Sequence, residues 1–180
     1  MNLSNNSYMK PILTVLKSIK NSLFHNSFFE KKYKQKRISI LNVFFHNKVV
    51  LNGPFAGMKY PKIYSNSSAI YPKLIGSYES ELGSTIHGIF KKSYRFIYDI
   101  GCAEGYYAIG LALKFEKSII HAFDIDEKAL ENCRRMGELN NVNNVIYNTE
   151  FKFKELQNYD FNNSLIICDC EGLEKEIFQF

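Results

Sequence analysis

The stretch that decides the fold is FIYDIGCAEG, residues 96–105, which continues without a break into YYAIGLALKF, residues 106–115. A short apolar run, a loop punctuated by glycine and a segment that is apolar on nearly every side predict a strand, a tight turn and a buried helix. Gly101 and Gly105 allow the backbone to turn sharply. We expect the first turn of the following helix to offer free N–H groups to a ligand.

The alternation of strand and helix continues after this segment. Strands are predicted over 118–123, 144–147 and 164–168, and helices over 127–139 and 173–178. Strands that alternate with helices at this spacing indicate βαβ units with right-handed crossovers. The predicted fold class is therefore α/β, a Rossmann-like three-layer sandwich with a partial parallel sheet of about four strands.

Residues 1–94 are predicted to form an N-terminal helical and hairpin region, a possible cap on the core of residues 95–180. Apolar residues at near-helical spacing predict a helix over 11–24. The β-branched and aromatic stretch 38–51, with Asn47-Lys48 as its turn, predicts a hairpin. A helix is predicted over 77–92, after a loop rich in glycine and proline.

Composition limits the functional classes. The 180 residues carry a formal net charge of +5, and much of the positive charge lies in the basic run 31–37. Such a run could contact nucleic acid or a membrane surface, but it is more typical of a solvated helix face. The apolar runs fall short of the ~20 residues of a membrane span. No secretory signal is recognised, so a cytoplasmic location is expected. Four cysteines inside predicted elements indicate buried thiols rather than disulfides, and no metal site is predicted.

Acidic residues follow two of the predicted strands. Asp124 comes about 20 residues after the glycine loop, where a carboxylate can accept hydrogen bonds from both hydroxyls of a ribose. Asp169 and Glu171 follow the fourth strand. Ligands of open α/β sheets bind beyond the carboxyl ends of the strands, so all these groups should meet at one edge. Asp169 and Glu171 could instead cap the next helix.

The spacing of the glycine loop distinguishes two kinds of ligand. A dinucleotide-binding loop has glycine at the third and sixth positions counted from its first, and here Ala103 and Tyr106 occupy them. Tyr106 would obstruct the close approach of strand and helix, and Ala103 the approach of a pyrophosphate. The pattern Asp-x-Gly-x-x-x-Gly therefore favours a smaller, zwitterionic ligand.

These residues carry a family resemblance. DIGCAEG (99–105) resembles the first motif of class I S-adenosylmethionine-dependent methyltransferases, and HAFDID (121–126) resembles the second. The run ICDCEGLE (167–174) is similar to the Asp-x-Glu-Gly-x-Glu run of the FkbM-like branch, which is associated with carbohydrate and polyketide methylation. The resemblance covers about residues 95–179.

The resemblance implies a role for each matching residue. Asp99 orients the amino group of S-adenosylmethionine, Asp124 holds the ribose, and Ile125 packs on the adenine. Asp169 faces the sulfonium and the incoming nucleophile. Asp169 and Glu171 are the catalytic candidates, and either could be the base. The remaining implied cofactor contacts are Gly101, Cys102, Ala103, Glu104 and Gly105 in the loop and Tyr78 and Glu79 ahead of it. Glu104 departs from the small residue that is common in this loop.

The implied function is transfer of a methyl group to an oxygen of a small molecule or sugar. The family's sheet normally has seven strands, so the chain is expected to be C-terminally incomplete and to expose an open sheet edge through which a second copy could pair. Two alternatives remain open. One is a truncated or degenerate methyltransferase-like binding module without activity, and the other is an NAD-dependent oxidoreductase.

Overall fold

The computed structural model describes residues 35–36, 39, 43, 45–65, 69–152 and 158–170. The chain divides into two compact units, Met1–His46 and Asn47–Phe180, and the second unit contains the sheet and the helices named below. The helices predicted over 11–24 and 173–178 lie outside the described residues, and so does Glu171.

A parallel sheet of four strands forms the centre of the second unit. Its strands are β1 (Phe96–Ile100), β2 (Ile119–Phe123), β3 (Val145–Asn148) and β4 (Ser164–Cys168). Their order across the sheet is β3-β2-β1-β4, with every pair parallel. The order therefore reverses at β1, where the chain returns from β3 to the other side of the sheet. This sheet confirms the predicted Rossmann-like α/β fold.

Four α-helices are described in the second unit. They are α1 (Ile70–Ile75), α2 (Gly83–Ile89), α3 (Tyr106–Lys114) and α4 (Glu127–Leu139). The crossover helix α3 buries most of its length, as its apolar sequence predicts. The other crossover helix, α4, is amphipathic. Its N-cap is Asp126, whose side chain accepts a hydrogen bond from the Lys128 N–H at 2.9 Å. No described helix combines the length and the apolar character needed to cross a bilayer.

The two faces of the sheet have different neighbours, helix α3 on one face and an aromatic cluster on the other. Asp99 faces the side of the sheet on which α3 lies, because the N–H of Ala108 donates to its carboxylate. The next side chains along β1 point the opposite way. There Tyr98 and Ile100 join Phe123 and Phe151 in a buried cluster, against which Tyr159 stacks.

The segment 47–65 packs on the two crossover helices. The side-chain amide of Asn140, at the end of α4, accepts from the Lys59 N–H and donates to the Lys59 carbonyl, both at 2.8 Å. The ring of Phe55 lies so close to Gly110 of α3 that a Cβ there would sit 2.5 Å from it. Residues 47–94 therefore belong to the same compact unit as the sheet, and their predicted role as a cap stays a prediction.

Two elements of the N-terminal half differ from their prediction. The hairpin over 38–51 is wrong, because Ser39 and Val43 are helical and Val49 forms an isolated antiparallel bridge with Lys59. A short apolar run fits a helix and a strand equally well, and periodicity alone does not separate them. The helix predicted from Ser77 begins only at Gly83, since Glu79 has a left-handed backbone (φ 47°) that no α-helix accommodates.

Candidate functional site

The loop after β1 is held tightly against the end of β2. The N–H groups of Gly101 and Cys102 both donate to the Phe123 carbonyl at 2.9 Å, and the N–H of Gly105 donates to the Cys102 carbonyl at 2.8 Å. The N–H of Ala103 donates to a side chain of the next loop. The loop therefore directs four of its N–H groups into the protein. In the first turn of α3, where the sequence predicted N–H groups free for a ligand, the N–H of Ala108 donates to Asp99.

Glycine at 101 and 105 is required by the protein's own packing. Both residues have positive φ, 84° and 98°. A Cβ on Gly101 would lie 2.1 Å from the Asp169 carbonyl oxygen, and one on Gly105 would lie 2.6 Å from the Cys133 sulfur. The two glycines thus let the loop approach the end of β4 on one side and helix α4 on the other.

Asp124 joins the loops that follow β1 and β2. Its Oδ2 accepts from the Ala103 N–H at 2.7 Å, and its Oδ1 accepts from the Asp126 N–H at 2.8 Å. A carboxylate has about four lone-pair sites, so each oxygen keeps one for a further donor. The side chain is half-buried at the carboxyl edge of the sheet, and the neighbouring Ile125 is 80% exposed.

Asp99 is a buried carboxylate with unused hydrogen-bonding capacity. It is 2% exposed, and its Oδ2 has no hydrogen-bond partner in the part of the chain that the structure describes. Burial raises the pKa of Asp99 to about 7; the N–H of Ala108 and the Lys73 ammonium act in the opposite direction, while Asp169 and Asp124 raise it further. An additional cation or donor at Oδ2 would stabilise the ionised form.

Glu104 takes part in a buried ion pair that the sequence did not predict. Its Oε1 lies 2.6 Å from the Lys73 Nζ, and both side chains are 4% exposed. The Ser65 hydroxyl donates to the same oxygen at 2.7 Å, and the Lys73 ammonium also lies 4.8 Å from the centre of the Tyr78 ring. The structure thus places Glu104 in the interior beside α1 rather than in solvent. A signal existed, because Lys73 stands in the otherwise uncharged helix IYPKLI, and a buried charge needs a partner.

Tyr78 and Glu79 contact the first turn of α3, the helix that immediately follows the glycine loop. The Tyr78 ring meets the Tyr106 ring edge-on at 5.2 Å, and the Tyr107 hydroxyl donates to Glu79. Burial raises the pKa of the Tyr106 phenol to about 12. The structure therefore brings these two sequence-predicted residues beside the loop, while their contact with a cofactor stays a prediction.

Asp169 lies next to the loop, at the point where the strand order reverses. Its N–H donates to the Ile100 carbonyl at 3.0 Å, which extends the pairing of β4 with β1, and its side chain is exposed.

The side chain of Cys102, in the glycine loop, points into the protein. Its thiol is buried, and a hydrogen bond with Cys133 is the first cause that raises its pKa. Cys102 therefore offers a ligand no side chain.

The carboxyl edge of the sheet thus gathers most of the residues that the sequence singled out. Asp99, the loop Gly101–Gly105, Asp124 and Asp169 meet around the reversal point between β1 and β4. Such reversal points are where ligands of open α/β sheets bind. The arrangement brings a buried carboxyl group, a half-buried carboxylate and an exposed apolar side chain to one edge of the sheet.

No protein-family model matches the chain, and no curated protein matches it in sequence. Partial similarity exists to solved structures. Trm5b from Pyrococcus abyssi is 28% identical (TM-score 0.33), over 38% of this chain and 21% of that one. The P. abyssi tRNA (uracil-54, C5)-methyltransferase is 26% identical (TM-score 0.32), over 44% and 19%. Coclaurine N-methyltransferase is 15% identical (TM-score 0.38), over 61% and 31%. The latter two structures contain S-adenosylhomocysteine, and the chain spans less than a third of each of these three proteins.

Proposed function

We propose that this chain binds S-adenosylmethionine at the carboxyl edge of its sheet and belongs to a methyltransferase that acts on an oxygen of a small molecule or sugar. The observation that carries the proposal is that two carboxyl groups lie beside one glycine loop. Among the described residues, Asp99 has a buried oxygen without a partner, and Asp124, one strand over, keeps lone pairs for further donors. A ligand with an ammonium at one end and a ribose at the other satisfies both.

The internal use of the loop's N–H groups supports a ligand without a pyrophosphate. A dinucleotide loop binds its pyrophosphate through backbone N–H groups and the following helix N-terminus. Here the N–H groups of residues 101–103 and 105 already have acceptors in the protein. The loop is suited to enclose an amino-acid moiety whose cationic group is neutralised by Asp99.

The remaining roles follow from position. The exposed Ile125 side chain would cover one face of the adenine. Tyr78 and Glu79 would close the amino-acid end, and the backbone of Cys102, Ala103 and Glu104 would shape its wall. Each is a proposal that rests on proximity to the loop.

The cofactor supplies a methyl group on a sulfonium, and its thioether leaves as a neutral molecule. The protein's contribution would be to hold an acceptor hydroxyl in line with that methyl group. A hydroxyl also needs a base to accept its proton. Asp169 is exposed beside the loop and is our candidate, with Glu171 as the second carboxylate of the run DCEG.

The similarity of ICDCEGLE to the FkbM-like run motivates the choice of an oxygen acceptor on a sugar or small metabolite. A cytoplasmic site of action is part of the proposal. Pairing of a second copy at a sheet edge is an additional possibility that size-exclusion chromatography would test.

Calorimetric titration separates the proposal from its alternatives. We expect S-adenosylhomocysteine to bind with a micromolar dissociation constant and NAD to show no binding. Binding of NAD in its place would favour an oxidoreductase. If neither ligand binds but the protein associates with a polyanion in a strongly salt-dependent way, the chain is a binding module.

A further inference from the structure

We propose that Cys168 and Cys170 are an oxidisable pair that forms a disulfide and thereby weakens cofactor binding; the regulatory half rests on the proposed function. The two sulfur atoms are 3.1 Å apart. A disulfide bond is about 2.05 Å long, so the sulfurs need to approach by about 1 Å. The pair lies at the end of β4, on the side of the sheet that carries the aromatic cluster.

Accessibility distinguishes this pair from the other two cysteines. Cys168 and Cys170 are both partly exposed, whereas Cys102 and Cys133 are buried. Oxidation of a thiol requires access for the oxidant as well as thiolate character. The pair at the end of β4 is therefore where a soluble oxidant would react first.

The residue between the two cysteines is in contact with the proposed cofactor loop. The Asp169 carbonyl oxygen packs where a Cβ of Gly101 would be, and the Asp169 N–H donates to the Ile100 carbonyl. A disulfide would close a small ring around Asp169 and rotate the peptide groups on both of its sides. Because Gly101 has no room to follow, the rotation would displace the loop or the Asp169 carboxylate.

The chemistry needs an oxidant of the low-molecular-weight disulfide class, such as oxidised glutathione. A thiolate of the pair attacks one glutathione sulfur, the S–S bond breaks, and one glutathione thiolate leaves. The second protein thiolate then attacks the mixed disulfide and releases the other glutathione thiolate. Two electrons pass from the two protein thiols to the oxidant, and their two protons are taken up by the released thiolates.

The test uses the whole chain, reduced and then treated with oxidised glutathione. Mass spectrometry with peptide mapping locates any disulfide, and calorimetry measures the affinity for S-adenosylhomocysteine in both states. We expect a Cys168–Cys170 disulfide and at least about tenfold weaker binding, equivalent to about 1.4 kcal/mol, and dithiothreitol should reverse both. The matched control Cys168→Ser/Cys170→Ser, which leaves neither thiol to react with glutathione, should keep the reduced-state affinity, form no such bond and bind equally after treatment.

The two claims fail in different ways. If the reduced protein binds the ligand but no Cys168–Cys170 disulfide forms, or the disulfide forms with unchanged affinity, the inference is wrong and the proposed function stands. If the reduced protein does not bind S-adenosylhomocysteine at all, the proposed function is wrong. A disulfide mapped to Cys102 and Cys133 instead would also overturn the inference.

Discussion

The ammonium of Lys73 lies 2.6 Å from Oε1 of Glu104 in a part of the protein where each side chain is 4% exposed. Lys73 comes from α1, and Glu104 comes from the loop that follows β1. The ion pair therefore fastens the segment ahead of the sheet to the loop that we propose encloses the cofactor. Removing one partner of a buried ion pair lowers the stability of the fold, because the remaining charge stays in the interior without its counter-ion.

We expect Lys73→Met to lower the free energy of unfolding by about 3–5 kcal/mol, because it leaves the Glu104 carboxylate without its cation. Glu104→Gln should be destabilising for the complementary reason. The double variant Lys73→Met/Glu104→Gln should recover a large part of the loss, since neither charge is left buried. Urea unfolding of the four proteins measures this coupling.

A surface pair on α4 provides the control for this comparison. Glu131 accepts from Arg135 at 2.8 Å and from Arg134 at 3.1 Å, but all three side chains are well exposed. Glu131→Gln should leave the unfolding midpoint within error of wild type. Equal losses for Lys73→Met and Glu131→Gln would show that the buried pair contributes no more than a surface pair.

The raised pKa of Asp99 predicts a pH-dependent stability. A carboxyl whose pKa rises from 3.8 in the unfolded chain to about 7 in the fold binds its proton more tightly when folded. The resulting stabilisation is complete below pH 3.8 and is lost as the pH rises through 7. Between pH 5 and pH 8 the ligand-free protein should lose about 3 kcal/mol from this group.

Asp99→Asn removes that titration while keeping the shape of the side chain. Its unfolding free energy should change less than that of wild type between pH 5 and pH 8. His121, whose pKa is lowered by burial, contributes equally to both proteins and cancels in the comparison. Identical pH profiles for the two proteins would contradict a raised pKa at Asp99.

Gly101→Ala should be much more destabilising than Gly57→Ala. Both glycines have positive φ, 84° and 92°, so both alanine variants carry the same backbone strain, about 1–2 kcal/mol. Of these two positions, only Gly101 brings the added methyl against a backbone atom, the Asp169 carbonyl oxygen; at Gly57 no atom of the described residues lies within 4 Å. Chemical denaturation of both variants tests the difference. Comparable unfolding midpoints would contradict the prediction and would mean that the Asp169 carbonyl moves aside at little cost in free energy.

The second half of the chain could be predicted from sequence because local patterns and topology agree there. Apolar runs predicted β1 and β4 with their observed bounds, and the rule that parallel strands end at one edge placed Asp99 and Asp124 together. Lys73 in an otherwise uncharged helix indicated a buried charge, but its partner could not be predicted, since Glu104 is 31 residues away and belongs to a different element. Ser39 and Val43 were assigned to a strand and are helical, because short apolar runs fit both periodicities.

The central claim is that Asp124 accepts hydrogen bonds from a ribose. The most direct test measures how far the loss of a ribose hydroxyl and the loss of the Asp124 carboxylate affect each other in the free energy of binding. Calorimetry would measure the binding of S-adenosylhomocysteine and of its 2′-deoxy analogue to wild type and to Asp124→Asn. We expect wild type to bind the 2′-deoxy analogue about tenfold more weakly, a loss of about 1.4 kcal/mol, and Asp124→Asn to discriminate far less between the two. Wild-type protein that binds both ligands equally would contradict the account.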